Sequence, residues 1–258
     1  MTVLALIQAR MSSNRLPGKV LADLEGRPMI VFMLDRVRRA SSIDRVAVVT
    51  STDPSDDPLA KAVAAHGADV FRGSLDDVLA RFGGAAQALG GDVVVRLTGD
   101  CPLIDPSVID VVVATRANTG ADYASNVDPP SYPDGLDVEC FTRDALDRAL
   151  VNAHDPAMRE HVTVWMRDPA SGLVRANHSA VIDASHLRLT VDYPDDLAVV
   201  RAIARLEAEA ASPFDFFDLL RVLNGRRDLC EANRHTRNEG LAQSLAADTA
   251  TGRTGERN

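Results

Sequence analysis

Hydrophobic positions in the first half of the chain fall into two alternating patterns. Short β-branched runs at residues 3–7, 45–50 and 92–98 predict strands. Between and after them, apolar residues at helical spacing predict helices over 28–40, 58–66, 75–89 and 106–118. In PMIVFMLDRVRRA, Met29, Met33 and Val37 form an apolar stripe, with Arg36, Arg38 and Arg39 towards the end where a helix dipole favours cations. This alternation predicts a three-layer α/β/α fold whose central sheet is mostly parallel and covered on both faces. Ligands of such sheets bind beyond the C-terminal strand ends. The loops after Gln8 and Thr98 lie at two such ends.

The second half is less regular. Residues 122–137 hold Pro129, Pro130, Pro133 and Gly135 and read as one long loop. LDVECF reads as a strand and TRDALDRALVNA as a helix with Thr142 as its N-cap. HLRLTVDYPDDLAVVRAIARL reads as a strand running into a helix, with Pro194 near the first helical position. From Gly225 onward residues are polar and small, so residues 1–224 form the expected domain and 225–258 a polar tail, with TATGRTGERN disordered. No internal repeat or second globular domain is evident.

A chain of 258 residues can bury a sizeable core. Apolar residues at 46% and charged residues at 25% are ordinary for a soluble protein. Aromatics at 4% are too scarce for stacking many bases, and a net charge of -9 argues against nucleic acid or anionic membrane as partners. Cys101, Cys140 and Cys230 form no C-x-x-C pair, so neither a zinc knuckle nor a disulfide framework is suggested. The opening apolar run has no basic residues before it and is too short to span a bilayer. A cytoplasmic location is expected.

Candidate chemistry starts after the first strand. Arg10, Ser12, Ser13, Arg15 and Lys19 surround a Pro17–Gly18 bend. The Walker pattern fails, because Ser13 stands where its first glycine belongs and Val20 where its hydroxyl belongs. No G-x-G-x-x-G occurs either. On charge alone a solvated turn explains these cations equally well, but the strand-end position favours an anion cradle. Each cation–phosphate pair at 4 Å would contribute about 4 kcal/mol before desolvation, at an effective dielectric near 20.

QARMSSNRLPGKVL, followed by LEGRPMI, resembles the opening of cytidylyltransferases that activate sugar acids as CMP esters. It is most similar to the branch named after the spore coat polysaccharide biosynthesis protein SpsF, with Ser12 and Asn14 as small polar departures. The resemblance continues through VVTSTDPSDDPLA, VFRGSLDDVLARF, VVVRLTGDCPLID, YPDGLDVECF, REHVT and LRLTVDYPDDL, over about residues 1 to 206. It implies a nucleotide-diphospho-sugar transferase fold of the GT-A/Rossmann-like kind, CTP as donor, Mg2+ as cofactor and a small anionic acceptor. Arg10, Arg15 and Lys19 would neutralise the triphosphate during catalysis. Asp100 and Asp192 would hold the metal, since a divalent cation needs hard oxygen ligands. Taken singly, either aspartate is more often a turn or cap residue. Tyr193 replaces the family's threonine, and Asp105 is expected to cap the helix at Pro106.

By the same resemblance, nucleotide contacts would come from Gln8, Ala9, Ser12, Ser13, Ser51, Asp53, Ser74, Asp76, Arg81, Arg96, Thr98 and Gly99. The acceptor would meet Asn126, Asp134, Asp137, Glu139, Arg159 and His161. Asp137-Val-Glu139 also matches the D-x-D motif of glycosyltransferases, which keeps open transfer from a nucleotide sugar. A non-catalytic nucleotide-binding partner of another enzyme is a third reading. A homodimer is expected from the family alone.

Overall fold

The computed structural model describes residues 1–210, 212–237 and 242. The expected disorder of TATGRTGERN lies outside the described residues. The elements run β1 (Val3–Gln8), a small hairpin of β2 (Asp23–Leu24) and β3 (Arg27–Pro28), α1 (Met29–Val37), β4 (Arg45–Ser51), α2 (Asp57–Ala65), β5 (Asp69–Gly73), α3 (Val78–Leu89), β6 (Val93–Thr98) and α4 (Pro106–Thr119). Then follow β7 (Tyr123–Ser125), β8 (Glu139–Thr142), α5 (Arg143–Asn152), α6 (Pro156–Glu160), α7 (Val164–Arg167), β9 (Arg175–Asn177), α8 (Pro194–Ala208), α9 (Phe216–Gly225) and α10 (Arg227–Ala232).

Seven strands form one sheet in the order β5-β4-β1-β6-β8-β7-β9. β5, β4, β1 and β6 are mutually parallel, while β8 pairs antiparallel with both β6 and β7. Side chains alternate across the sheet with period two. Leu4, Leu6, Ala47, Val49 and Val94 face Phe82 of α3 and Leu146 of α5. Ala5, Ile7, Val48, Val95 and Leu97 join Met33, Ile109 and Val200, from α1, α4 and α8. Both faces are therefore covered by helices. Gln8 pairs with Thr98, so β1 and β6 end level, and with Val49, beyond which β4 runs on to Ser51. The basic loop and the Gly99–Asp100 step emerge side by side from that edge.

Several elements differ from the sequence reading. The loop over 122–137 opens with strand β7, which pairs with both β8 and β9. LRLTV is not a strand. It crosses the sheet's edge, where Leu189 and Thr190 N–H both donate to Asp134 O, at 2.6 and 3.0 Å, and Val191 N–H donates to Asp100 O at 2.8 Å. Gly135 allows this crossing: its φ is 110°, and a Cβ there would sit 2.5 Å from the Leu189–Thr190 peptide. Arg36 stands in the last turn of α1, as the dipole favours, and has a further role that the sequence did not show. It is buried and donates to Ile104 O (2.7 Å), Phe214 O (2.6 Å) and Glu207 (2.5 Å), tying α1 to the last helices. Thr142 caps α5 by accepting from Ala145 N–H at 3.1 Å, and Asp105 accepts from Ser107 N–H at 2.8 Å at the start of α4. Beyond Gly225 the chain stays packed as far as residue 237: α10 lies against α8 and α9, with Leu229 and Asn233 buried.

Candidate active site

The basic loop is pinned at both ends. Ala9 N–H donates to Val49 O (3.2 Å), and Met11 N–H donates to Asp56 Oδ1 (2.7 Å). Gly18, at φ 73°, turns the chain in the left-handed region and returns its N–H to Met11 O at 2.9 Å. The next residue, Lys19, is thereby driven inward. Its ammonium donates to Val191 O (2.6 Å), Asp192 Oδ1 (2.9 Å) and Asp100 Oδ2 (3.3 Å). Arg15 Nη2 lies 2.7 Å from the same Asp192 oxygen, and its guanidinium stands 5.3 Å from the Tyr193 ring centre. Arg10 is more exposed, 3.9 Å from Glu160.

Burial disfavours the Lys19 ammonium, but the Asp100 and Asp192 carboxylates outweigh it and raise the lysine above 10.5. Burial likewise disfavours the Asp192 carboxylate, and Lys19 and Arg15 more than offset this, holding it at about 2. The second Asp192 oxygen accepts from Arg188 Nη2 at 3.1 Å. Arg188 is buried among three carboxylates, also reaching Asp134 (2.8 Å) and Asp196 (2.9 Å). Asp196 closes the loop by accepting from Asp192 and Tyr193 N–H at 2.8 and 3.0 Å.

These groups line one cleft of about 410 Å³ at the C-terminal strand edge. Of the residues singled out in the sequence, Gln8, Ala9, Arg10, Ser13, Arg15, Lys19, Arg81, Arg96, Thr98, Gly99, Asp100, Asp134, Asp137, Glu139, His161 and Asp192 meet there. Arg81 is 2% exposed and, among the described residues, donates to two carbonyls, Ser74 O (2.9 Å) and Leu75 O (3.0 Å), and to no carboxylate. Gly99 permits close strand contact, since a Cβ would lie 2.9 Å from that of Ala9.

Other residues singled out in the sequence lie outside this lining. Asn126 is fully buried and bridges Leu136 O and Val138 N–H, both at 2.8 Å, so it braces the loop and does not line the cleft. Arg159 ties α6 to the start of α3 through Asp77 (2.7 Å) and reaches Ala153 O (2.9 Å). Ser51 is buried against Asp56, and Asp53 accepts from Ser55 N–H at 2.8 Å as a turn cap. Ser74 accepts from Asp77 N–H at 3.0 Å, while Ser12 and Asp76 are exposed outside the lining. Asn126, Asp53 and Ser74 satisfy backbone groups in this way, which sequence pattern alone does not separate from ligand contact.

Reasoning from sequence missed Arg188, Arg167 and Asn14, which also line the cleft, as does Glu160 of REHVT. Glu139 accepts from Tyr123 Oη and Thr163 Oγ1, both at 2.6 Å, and pairs with Arg96. Burial works against the Glu139 charge, but Arg96 and these donors hold it below the usual glutamate range. The Asp137 carboxyl is pushed up to about 7 by burial, although Arg237 pairs with it. His161 Nε2 is buried without a hydrogen-bond partner among the described residues. Burial lowers its pKa, with Arg96, Arg167 and Arg10 adding to the effect against Glu160, so the imidazole is neutral at pH 7.

Asp100 and Asp192 present hard carboxylate oxygens that already share one small cation, the Lys19 ammonium. That donor set fits a divalent ion such as Mg2+.

Comparison with known proteins decides among the open readings. Residues 4–202 match the cytidylyltransferase family. The chain belongs to that family. It is 32% identical over 233 residues to the Bacillus subtilis spore coat polysaccharide biosynthesis protein SpsF, spanning 88% of this chain and 95% of the relative. It is also 37% identical over 123 residues to a 3-deoxy-manno-octulosonate cytidylyltransferase of Geobacter sulfurreducens, covering 47% and 48% of the two chains. A solved cytidylyltransferase from Leptospira borgpetersenii superposes with a TM-score of 0.85 at 30% identity, over 92% of this chain and all of that one. CMP:2-keto-3-deoxy-manno-octonic acid synthetase, solved with CTP, shares the fold with a TM-score of 0.64 at 21% identity, covering 80% of this chain. This cytidylyltransferase is therefore a nucleotidyl-transferring enzyme with the nucleotide-diphospho-sugar transferase fold. The glycosyltransferase and binding-only readings give way.

Proposed function

We propose that the enzyme transfers CMP from CTP to a small anionic acceptor, a sugar acid or a phosphonate or phosphate, with release of pyrophosphate. The observation that carries this reading is the convergence of Lys19 and Arg15 on Asp192, with Asp100 beside them, at the level ends of β1 and β6. That is a set of cations for phosphates interleaved with oxygens for a hard metal.

An acceptor oxygen would attack the α-phosphorus, and pyrophosphate would leave in line. Arg10, Arg15 and Lys19 would neutralise the triphosphate and the charge growing on pyrophosphate. A divalent cation held by Asp100 and Asp192, Mg2+ in this reading, would supply Lewis-acid charge at the reacting phosphate. Arg188 would hold Asp192 so that one of its oxygens stays turned to the cleft. The neutral His161 imidazole, ringed by cations, suits contact with an anionic acceptor. Catalysis is then positioning and electrostatics without a covalent enzyme intermediate.

The test is to incubate the protein with each of the four NTPs, Mg2+ and a panel of 2-keto sugar acids, phosphonates and sugar phosphates, and measure pyrophosphate. Release with CTP and one acceptor class is expected. Equal release with all four NTPs, or none with CTP, would defeat the proposal.

A further inference from the structure

The C-terminal segment folds back on the cleft through three polar side chains. Asn233 is 3% exposed and donates to Arg188 O and Asp196 Oδ1, both at 3.1 Å. His235 stacks on Tyr193 with ring centres 4.0 Å apart and bonds to both Asp195 oxygens, at 2.9 and 3.1 Å. Arg237 donates from Nη1 to Tyr132 O (3.1 Å) and from Nη2 to Asp137 Oδ1. Asn233 and His235 thus grip the turn that carries Asp192, and Arg237 grips the loop before β8. Leu229 anchors the segment in the core formed with α8 and α9.

Asp137 and Asp134 line the cleft, whereas Arg237 lies outside its lining. Each of the two carboxylates has its own arginine, Arg237 and Arg188. Asp137 leads into β8, on the far side of β6 from the β4 and β5 loops. That places it on the acceptor side of the reading above, where a pair of carboxylates held by arginines outside can accept hydrogen bonds from hydroxyl groups.

We infer that residues 226–237 form a strap that completes the acceptor side of the active site, with Arg237 a positioning residue that holds Asp137 as a hydroxyl-accepting carboxylate. This rests on the proposed CMP transfer. Nothing within the matched family region, residues 4–202, supplies this arginine. Through Arg237 the segment therefore acts on acceptor choice, while Asn233 and His235 hold the turn that carries Asp192.

The test compares Arg237→Met and Arg237→Lys with the full-length wild type, using CTP, Mg2+ and the panel acceptor of highest turnover, with 3-deoxy-manno-octulosonate as the first probe. Arg237→Met is expected to raise the acceptor KM by about tenfold or more while the KM for CTP stays within about twofold. Arg237→Lys should recover much of the loss. Unchanged acceptor KM in Arg237→Met, or equal loss towards CTP and acceptor, would overturn the strap. Wild type inactive with CTP and every acceptor would instead defeat the transfer reading. Hydrogen exchange then still decides the strap: the amides of residues 132–138 should lose protection in Arg237→Met and keep it in Arg237→Lys, and equal protection in all three proteins would overturn it.

Discussion

Lys19 Nζ lies 2.9 Å from Asp192 Oδ1, so the cation assigned to phosphate and a carboxylate assigned to the metal are direct partners. The same ammonium reaches Asp100 at 3.3 Å. Exchange of these contacts for triphosphate and metal keeps every charge paired. Alanine at Lys19 or Asp100 is therefore expected to raise the barrier to pyrophosphate release by about 2–4 kcal/mol, roughly 30- to 1,000-fold in rate. Steady-state turnover with saturating CTP measures it. Near-wild-type turnover in either variant would remove that residue from the catalytic set.

Metal dependence follows from the donor set. Chelation of divalent ions is expected to stop pyrophosphate release, and Mg2+ to restore it. Asp192→Asn keeps the side-chain volume but gives up a charged oxygen, and Arg188 is left facing a neutral amide. The Mg2+ concentration for half-maximal rate should rise by about tenfold or more. A titration of rate against Mg2+ checks this, and an identical midpoint in wild type and variant would move the metal away from Asp192.

Asp56 is a stability residue beneath the basic loop. It is fully buried; one oxygen holds Met11 N–H, and the other accepts from Thr50 Oγ1 (2.8 Å), Ser51 N–H (3.0 Å) and Ser51 Oγ. Burial opposes its charge, yet these donors lower its pKa below the usual aspartate range. Asp56→Ala leaves several donors unpaired and should cost about 3 kcal/mol in urea unfolding. It also releases Met11, so CTP affinity should fall with it. Full stability in Asp56→Ala would show that these hydrogen bonds are replaced by water.

What the sequence made legible was whatever is local. That Lys19 and Asp100 come to one sheet edge was legible because they follow β1 and β6, whose ends hydrophobic patterning marks, whereas Asp192 follows a strand pattern that forms no strand. The parallel half of the sheet was legible for the same reason. LRLTV has a strand's alternation, but its N–H groups are taken by Asp134 O and Asp100 O at the sheet's edge. Arg188 was hidden because its partners come from Asp134, Asp192 and Asp196, which only the fold assembles. Arg237 was hidden further, since Asp137 stands 100 residues away. That Asn126 and Ser51 are bonded inside the fold and away from the cleft lining was not legible, because sequence shows a polar side chain without showing which group it serves.

Glu139 gives a pH prediction with a definite sign. Its carboxylate is nearly buried, with Arg96, Tyr123 and Thr163 as partners. Burial penalises the charge, but Arg96 leads the groups that outweigh it and hold the pKa below the ordinary 4.5. Between that lowered value and 4.5 the unfolded chain binds more protons than the folded one, so stability falls with falling pH in this window. The contribution is fully present above the unfolded value and is lost as pH falls through the folded one. Glu139→Gln leaves Arg96 without its carboxylate and should cost about 3 kcal/mol at pH 7. Asp56 and Asp192, also lowered, add the same acid sensitivity to both proteins and cancel in the difference. Urea unfolding from pH 7 down to about 3 should thus show the gap between wild type and Glu139→Gln closing on the acid side. A gap that stays constant across that range would mean that the Glu139 charge contributes nothing to the fold.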